Sequence, residues 1–229
     1  MCGRTTSTMS RDLVAKMLQV DQVQTEELPA RWNIAPTQPV YGAVTARSTQ
    51  RQLRSLRWGL VPNWARDLRA GSRMINARAE TLAQRPAYRE ALMTRRALLP
   101  FSGFYEWQKS GLDRAGPVQP FYFHCRGGEP LVFAGLWDTW CGAEGQKTET
   151  CTIITTPANK FMAPVHNRMP AILSPNDWDE WLLPGPLSAQ RAEHLLAPAP
   201  EGLLVAYPVG LAVNDVRNDS PELVWAQQH

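Results

Sequence analysis

The sequence predicts a single domain that mixes short helices with many β-strands. The chain has 229 residues, of which 44% are hydrophobic, so it is long enough to bury a sizeable core. No Gly/Ser linker, low-complexity run or internal repeat divides it. Runs rich in aromatic and branched residues, which favour strands, alternate with a few amphipathic stretches that favour helices. We therefore expect one domain over residues 1–229.

Composition also bears on where the chain works and on what it binds. No uninterrupted apolar run is long enough for a membrane span, and the polar N-terminus lacks the apolar core of a signal peptide. Cys2, Cys125, Cys141 and Cys151 show no CxxC spacing, so neither a zinc site nor a disulfide framework is predicted. We expect a cytoplasmic protein without metal or cofactor, in which Cys125 and Cys151 are unreactive core thiols.

The first half of the chain predicts two helices and three strands. Ser10 can cap a short amphipathic helix, alternating apolar residues predict the strands, and Pro86 falls where the second helix is broken or begins. The predicted elements are a helix over 10–20, strands over 40–46, 53–60 and 74–78, and a helix over about 81–95.

The second half predicts mainly strands. Ser174 and Pro175 would start one further helix, with Ser174 as its cap, and Trp178 and Trp181 would give that helix a packing face. The predicted strands cover 97–101, 104–107, 121–125, 131–137, 151–155 and about 203–209, and a polar loop covers 111–118.

The first four residues, Met-Cys-Gly-Arg, carry the most distinctive chemistry. Removal of Met1, which a small second residue normally permits, would leave Cys2 with a free amine and a thiol two carbons apart. The amine has a reference pKa of about 7.7–8.0, and the thiol is a strong nucleophile. With an aldehyde, the amine forms a Schiff base and the thiol closes a five-membered thiazolidine. On position alone, Cys2 is more often an ordinary residue near a frayed terminus.

The positive charge is concentrated in one region. The net charge is +3, and 20 of the 24 basic residues are Arg. Between Arg47 and Arg96 there are 12 Arg and three acidic residues, a local balance of +9 that leaves −6 for the rest of the chain. Arg holds phosphate bidentately and stacks on bases, so this region predicts a nucleic-acid face. The alternative is that Arg replaces Lys through genome composition and that the charges are only solvated.

Three further segments can serve either a ligand or the fold. Asn33, between apolar neighbours, can face a ligand or bond a turn, and the structural role is favoured. Trp64 lies in a loop of the Arg-rich region, where it can stack on a base or, as is commoner for Trp, anchor the core. If 74–78 is a strand, Asn76, Arg78 and Glu80 share one face, and they then need partners or a ligand.

Two titratable residues are candidates for proton transfer. Glu106 lies among three aromatic residues. An apolar environment would raise its pKa toward general acid–base use, whereas simple alternation would turn it to solvent. His166 lies in a loop bracketed by prolines, and its reference pKa of about 6.5 suits a proton carrier at neutral pH. A lone loop His is more often incidental, but Arg168 lies two residues away.

Six segments together resemble the SRAP family, the SOS response-associated peptidases that process abasic sites in DNA. They are Met-Cys-Gly-Arg at 1–4, Arg-Trp-Asn-Ile-Ala-Pro at 31–36, Trp-Gly-Leu-Val-Pro at 58–62, Asn-Ala-Arg-Ala-Glu-Thr at 76–81, Gly-Phe-Tyr-Glu-Trp at 103–107 and His-Asn-Arg-Met-Pro at 166–170. Each segment alone is a weak signal, but six in the family's order are specific. The match extends to about residue 185, and the rest of the domain is assigned by length.

The resemblance implies an α+β domain with a strongly curved, mainly antiparallel sheet system and flanking helices. It also implies that mature Cys2 attacks the ring-opened aldehyde of an abasic site in single-stranded DNA and leaves a thiazolidine crosslink. By position, Asn76 would hold the N-terminal amine or the lesion sugar, Glu106 would shuttle protons during Schiff-base formation and Met1 removal, and His166 would assist opening of the deoxyribose ring. The DNA-binding residues would be Arg4, Asn33, Trp64, Arg78 and Arg168. We expect a monomer that is nucleoid-associated when bound to DNA.

Two other functions remain open at this point. The first is a cysteine N-terminal-nucleophile peptidase or amidohydrolase, in which the amine serves only as the base for the thiol. The second is a non-catalytic reader of modified DNA bases, which needs a basic face and a base pocket but no free N-terminal amine.

Overall fold

The computed structural model of the chain describes residues 2–45, 50–108 and 118–227. The strands are β1 Thr5–Ser7, β2 Gln22–Val23, β3 Arg31–Ile34, β4 Pro39–Thr45, β5 Arg51–Trp58, β6 Asn76–Arg78, β7 Arg96–Phe101, β8 Gly103–Gln108, β9 Gln119–Cys125, β10 Leu131–Cys141, β11 Lys147–Pro157, β12 Arg168–Pro170 and β13 Leu204–Pro208. The α-helices are α1 Arg11–Met17, α2 Pro86–Thr94, α3 Trp178–Leu182 and α4 Ala189–Leu195. Short 3₁₀ helices cover Leu68–Arg73, Ala79–Thr81, Pro175–Asp177, Leu211–Asn214 and Pro221–Val224. This mixture confirms the α+β class.

The larger sheet closes on itself. Its strands follow the order β12-β11-β10-β7-β4-β5-β2, and β11 also pairs with β5. Cys151 of β11 lies opposite Trp58 of β5 in that extra, parallel pairing, while β10, β7 and β4 join their neighbours antiparallel. The ring β11-β10-β7-β4-β5 is therefore a small barrel, which is the strong curvature that was expected. Strand β6 adds to β11 in parallel.

A second, antiparallel sheet has the order β13-β9-β8-β1-β3. The chain crosses from the barrel to this sheet between β7 and β8, which only Ser102 separates. Gly103 begins β8 because no side chain fits there: a Cβ on Gly103 would lie 2.4 Å from the hydroxyl of Tyr122 and 2.6 Å from the carbonyl of Phe123. This close approach seats β8 between β9 and β1.

Aromatic side chains fill the space where the two sheets meet. The rings of Phe101 and Phe133 from the barrel have centroids 5.0 Å apart. Phe104 of β8 packs on Phe133 edge-to-face at 5.7 Å and stacks on Phe123 of β9 at 5.1 Å. All four rings are buried. The second sheet, and the N-terminal strand β1 within it, is thus fixed against a rigid core.

The predicted helices are confirmed apart from one cap. Ser10 accepts from the main-chain N–H of Leu13 at the start of α1, and α2 begins at Pro86. Trp178 and Trp181 are buried, as the packing face required. Ser174, however, makes no side-chain cap hydrogen bond, because a 3₁₀ turn precedes α3 there. No helix of the described residues is long and apolar enough to cross a bilayer.

The strand predictions are also confirmed, with shifted ends. β5 stops at Trp58 rather than at residue 60, since Gly59 adopts a φ of 121°, a left-handed conformation that ends the strand. The predicted loop over 111–118 falls outside the described residues except for Val118, and residue 46, the predicted end of the strand now assigned to β4, also lies outside them.

Candidate active site

Cys2 lies beside β8 because the pairing of β1 with β8 continues toward the N-terminus. The main-chain N–H of Tyr105 donates to the carbonyl of Arg4 at 2.9 Å, and Arg4 is the residue just before β1. The same antiparallel register places Gly3 opposite Glu106. Cys2 is fully buried and belongs to the core cluster of the two sheets. The N-terminal cysteine is therefore held in place rather than frayed.

Asn76 reaches Cys2 from the barrel. Its side-chain Nδ2 donates to the main-chain carbonyl of Cys2 at 2.8 Å. Asn76 is in β6, where Ala77 is buried and Arg78 is exposed, so the predicted alternation is confirmed. The other amide atom of Asn76, Oδ1, is buried and has no hydrogen-bond partner among the described residues. That oxygen is an acceptor next to the main chain of Cys2.

Glu106 provides a buried carboxyl group at the same place. It is 2% exposed, and burial raises its pKa above the usual range. Burial also raises the pKa of the Cys2 thiol well above its ordinary value, and the negative charge of Glu106 adds to the rise. Of the two alternatives for Glu106, the structure shows burial and not exposure to solvent. With its pKa raised, Cys2 is a thiol at neutral pH, and Glu106 lies close enough to interact with it electrostatically.

The loop that carries His166 contacts the parts of the chain that carry Glu106 and Asn76. Gln108, two residues after Glu106, donates to the carbonyl of Pro164 at 3.2 Å. On the loop itself, the main-chain N–H of Arg168 donates to Nδ1 of His166 at 3.0 Å. His166 is half-buried. The loop is therefore anchored to the end of β8, on which Glu106 lies.

An ion pair joins the same loop to the segment after β6. The guanidinium of Arg168 donates to both carboxylate oxygens of Glu80, through Nη1 to Oε1 and through Nη2 to Oε2 at 3.0 Å. The hydrogen bonds from Arg168 hold the pKa of Glu80 below its usual range. Arg168 also donates to the carbonyl of Thr155 at 2.5 Å. Arg168, predicted to bind DNA, is thus already engaged within the protein, and its contact with DNA stays a prediction.

Arg4 and Asn33 hold the C-terminal segment against the second sheet. Nη1 of Arg4 donates to Oδ1 of Asn33 at 2.6 Å and to the carbonyl of Val213 at 2.5 Å. Nδ2 of Asn33 donates to the carbonyls of Asp215 at 3.0 Å and Asn218 at 2.7 Å. Asn33 is fully buried, so its amide is directed to this segment and not to a ligand surface. The structural role that the sequence favoured for Asn33 is the one observed.

The C-terminal segment contributes residues that the sequence did not single out. Asp219 accepts from the main-chain N–H of Trp32 at 2.6 Å and forms an ion pair with Arg31. Asn214 accepts from the indole of Trp107 at 2.7 Å, one residue from Glu106. The only sequence signal for these residues was the polar run between Asn214 and Asp219. Nothing in that run indicates that it contacts β3 and β8.

Trp64 is exposed at the tip of a loop with a fixed base. Its exposed fraction is 68%, which excludes the core-anchor role for this conformation. Beside it, the carbonyl of Ala65 accepts from the indole of Trp140 at 2.7 Å, and the N–H of Ala65 donates to Pro62 at 2.9 Å. A loop held by these two hydrogen bonds thus presents an indole ring to solvent.

The arginines of the Arg-rich region that the structure describes, which exclude Arg47, divide into two groups. One group is used within the fold, through ion pairs with carboxylates or hydrogen bonds to main-chain carbonyls, and comprises Arg51, Arg54, Arg57, Arg95 and Arg96. The other group is exposed and follows Trp64 along the chain to α2: Arg66, Arg69, Arg73, Arg78, Arg85 and Arg89. Of the exposed group, Arg69 pairs with Asp67. The basic face is therefore smaller than the charge count predicted.

Comparison with known proteins gives a match to the same family that the six segments resemble. A model of the family described as SOS response associated peptidase (SRAP) matches residues 1–216. The chain is 38% identical over 230 residues to a Bacillus subtilis protein named abasic site processing protein YoaM, covering 100% of both chains. It is 39% identical over 225 residues to abasic site processing protein YoqW of the same organism, covering 98% of this chain and 99% of that one.

Solved structures share the fold. A crystal structure of a Bacteroides thetaiotaomicron protein superposes with a TM-score of 0.85 at 24% identity, over 99% of this chain and 100% of that one. A Bordetella bronchiseptica protein superposes with a TM-score of 0.76 at 26% identity, over 92% and 100% of the two chains. The two-sheet architecture that seats Cys2 is therefore found in experimentally determined structures.

Proposed function

We propose that this chain, which belongs to the SOS response-associated peptidase (SRAP) family, senses abasic sites in single-stranded DNA and captures them covalently through Cys2. The names of its Bacillus relatives, abasic site processing proteins, support the substrate class. The observation that carries the proposal is the convergence of Asn76 and Glu106 on Cys2. A protein with this function would act in the DNA damage response, in the cytoplasm and at the nucleoid when it is bound to DNA.

The reaction joins the aminothiol of mature Cys2 to the aldehyde of the opened abasic sugar. The amine nitrogen attacks the aldehyde carbon, and the carbinolamine loses one water to form the Schiff base. The sulfur of Cys2 then adds to the imine carbon, while the thiol proton passes to nitrogen. The product is a thiazolidine, formed with loss of one water and with no oxidant or reductant. Since ring closure is intramolecular, a thiol with a raised pKa suffices once a base lies next to it.

Two residues would control the proton transfers at Cys2. Glu106, buried with a raised pKa, would give a proton to the departing hydroxyl and take one from the thiol. Asn76 holds the Cys2 carbonyl, and its Oδ1 would accept from the α-amine of the mature chain. The same pair would also serve removal of Met1 if the chain processes itself, because cleavage of that peptide bond needs a proton for the leaving amine.

His166 would act on the sugar rather than on Cys2. An abasic deoxyribose is mainly a closed ring, and its aldehyde appears only after a proton is moved between the ring oxygen and the hydroxyl. His166 lies on the loop that is anchored to the end of β8, and imidazole carries protons at neutral pH. This division gives Glu106 and His166 different steps.

The exposed arginines and Trp64 would hold the DNA strand. Arg78 is exposed two residues beyond Asn76 in β6, so a phosphate bound there lies close to Cys2. Trp64 would stack on an unpaired base, since its ring is exposed and its loop is fixed. Arg4, Asn33 and Arg168 would act mainly by supporting the fold around the site, and a direct contact of Arg4 or Arg168 with phosphate would require them to exchange the partners described above.

The other two functions fit the site less well. An N-terminal-nucleophile hydrolase would use the thiol and the amine of Cys2, but it gives the exposed arginines no role. A non-catalytic base reader has no use for a buried carboxyl group beside the N-terminus. The base reader thus leaves the proximity of Cys2 and Glu106 without a role.

A denaturing gel separates covalent capture from the other two functions. Mature protein is mixed with single-stranded DNA that contains one abasic site, and the same strand without the lesion serves as the control. The proposal predicts a slower-migrating adduct that survives denaturation without borohydride and forms only with the lesion. If neither DNA strand migrates with the protein after denaturation, covalent capture is excluded and a hydrolase or a reader is favoured.

A further inference from the structure

The imidazole of His166 lies against both main-chain polar groups of Arg168. Its Nδ1 is 3.0 Å from the main-chain nitrogen and 3.1 Å from the carbonyl oxygen of that residue. β12 is an edge strand. Arg168 is paired with Pro157, and the flanking bond runs from Ala158 to Asn167, so the N–H and carbonyl of Arg168 point away from β11. The His166 ring covers the groups that the edge strand leaves open.

This arrangement accommodates both protonation states of His166. In the neutral ring with its proton on Nε2, Nδ1 accepts from the N–H of Arg168. In the imidazolium, Nδ1–H donates to the carbonyl of the same residue instead. The ring therefore does not have to turn when it gains or loses a proton, which suits a group that moves protons during catalysis.

Arg168 is itself fixed by its side chain. The side chain is only 12% exposed, and its guanidinium donates to both oxygens of Glu80 and to the carbonyl of Thr155. Glu80 is in the short helix that directly follows β6, the strand of Asn76. A planar fork held at three points has little freedom. The ion pair therefore links β12, whose Arg168 main chain contacts the His166 ring, to the short helix after β6.

We propose that Glu80 is a positioning residue: it holds Arg168, and through the main chain of Arg168 it sets the orientation of His166 relative to the strand of Asn76. Its effect on catalysis rests on the function proposed above, whereas its effect on the His166 ring does not. In this role the carboxylate acts through Arg168 and does not touch the substrate.

The ring itself provides a test that needs no activity. In ¹⁵N-labelled protein, long-range proton–nitrogen spectra report which ring nitrogen carries the proton, and His166→Gln assigns the signal among the four histidines. We expect Nδ1 unprotonated and Nε2 protonated at pH above the ring's titration, and averaged nitrogen shifts in Glu80→Gln and Arg168→Lys. Glu180→Gln is the matched control, since it breaks a two-point pair with Arg191 on other helices. Unchanged His166 shifts in both Glu80→Gln and Arg168→Lys would overturn the proposal.

Kinetics on two substrates then test the consequence for catalysis. We expect Glu80→Gln to slow adduct formation on abasic DNA by between about 10- and 100-fold, as a small misplacement of a catalytic group can. The rate with a simple aldehyde, which has no ring to open, stays within about twofold of wild type on the same reasoning. An equal loss on both substrates, or tighter binding of intact single-stranded DNA with an unchanged rate, contradicts the positioning role. Absence of any adduct with the wild-type protein contradicts the proposed function instead, and the ring spectra still decide the role of Glu80.

Discussion

The side-chain amide of Asn76 donates to the main-chain carbonyl of Cys2 at 2.8 Å, which joins residues 74 positions apart in the chain. The bond ties the N-terminus to β6 on the barrel, while the pairing with β8 ties it to the second sheet. Cys2 is therefore located by both sheets at once. A nucleophile with a free N-terminal amine needs such anchoring, because a chain end is otherwise mobile.

Asn76→Ala should slow adduct formation on abasic DNA by about 100-fold, since the Cys2 main chain loses a point of attachment and a small misplacement is enough to cost that much. Asn76→Asp should be at least as slow, because a carboxylate cannot donate to the carbonyl of Cys2. Quenched time courses on denaturing gels measure both rates. Asn176→Ala, an exposed residue without side-chain partners among the described residues, is the control. An Asn76→Ala rate within twofold of wild type would show that the bond has no role in positioning.

Glu106→Gln should make the folded protein more stable at neutral pH while it slows capture. The pKa of Glu106 is raised in the folded chain from an ordinary value of 4.5. Wild type therefore loses stability relative to the Gln variant as the pH rises from about 4.5 through the raised pKa, by about 1.4 kcal/mol for each unit of the rise.

Thermal unfolding of both proteins between about pH 4 and pH 8 measures this difference, with the exposed Glu144→Gln as the control. The gap in Tm should be small at the acid end of that range and should widen with pH. A gap that is independent of pH would mean that Glu106 is not ionising in a buried site.

Trp64→Ala should weaken binding of intact single-stranded DNA by about 1–3 kcal/mol, the usual contribution of one base stacked on an aromatic ring. Stability should change by no more than about 0.5 kcal/mol, because the ring is 68% exposed. Trp225→Ala is a matched control with an exposed fraction of 62%. Fluorescence anisotropy with a labelled oligonucleotide gives both affinities, and equal effects of the two substitutions would refute a specific stacking role for Trp64.

Asn33→Ala should act on stability and not on DNA binding. It leaves the guanidinium of Arg4 and the carbonyls of Asp215 and Asn218 without the amide that joins them. We expect a loss of about 2–3 kcal/mol in the free energy of unfolding, the range for buried polar groups that lose a partner. Urea unfolding measures it, and binding of intact DNA by the folded variant should equal that of wild type. Unchanged stability together with weaker DNA binding would instead indicate that Asn33 contacts DNA.

The sequence predicted local structure well because the signals for it are local. Ser10 marks the start of α1, and Pro86 marks the first residue of α2. The strong curvature of the sheet was predicted only from the resemblance to the SRAP family. Closure of the barrel through β11 and β5 pairs residues 93 positions apart, such as Cys151 and Trp58, and no spacing in the sequence records that pairing.

The chemistry of the site was predictable in part, for the same reason. Three aromatic neighbours made burial of Glu106 one of two open alternatives, and its proximity to Cys2 depends on the register of β1 on β8. The count of arginines exaggerated the basic face, because Arg54 and Arg95 are used by carboxylates from distant strands. Asp219 and Asn214 were missed since their partners, Trp32 and Trp107, lie more than 100 residues earlier.

The central claim is that the mature N-terminal aminothiol of Cys2 captures the aldehyde, and one measurement tests it directly. Protein of known N-terminus is reacted with abasic single-stranded DNA, the adduct is digested, and mass spectrometry locates the linkage. We predict a single linkage on the N-terminal peptide, with the mass of the sugar aldehyde added and one water lost, stable without borohydride. Cys2→Ala should give a linkage only after reduction, and a chain that retains Met1 should give none. A stable linkage on another residue, or full reaction by the Met1-retaining chain, would contradict the mechanism.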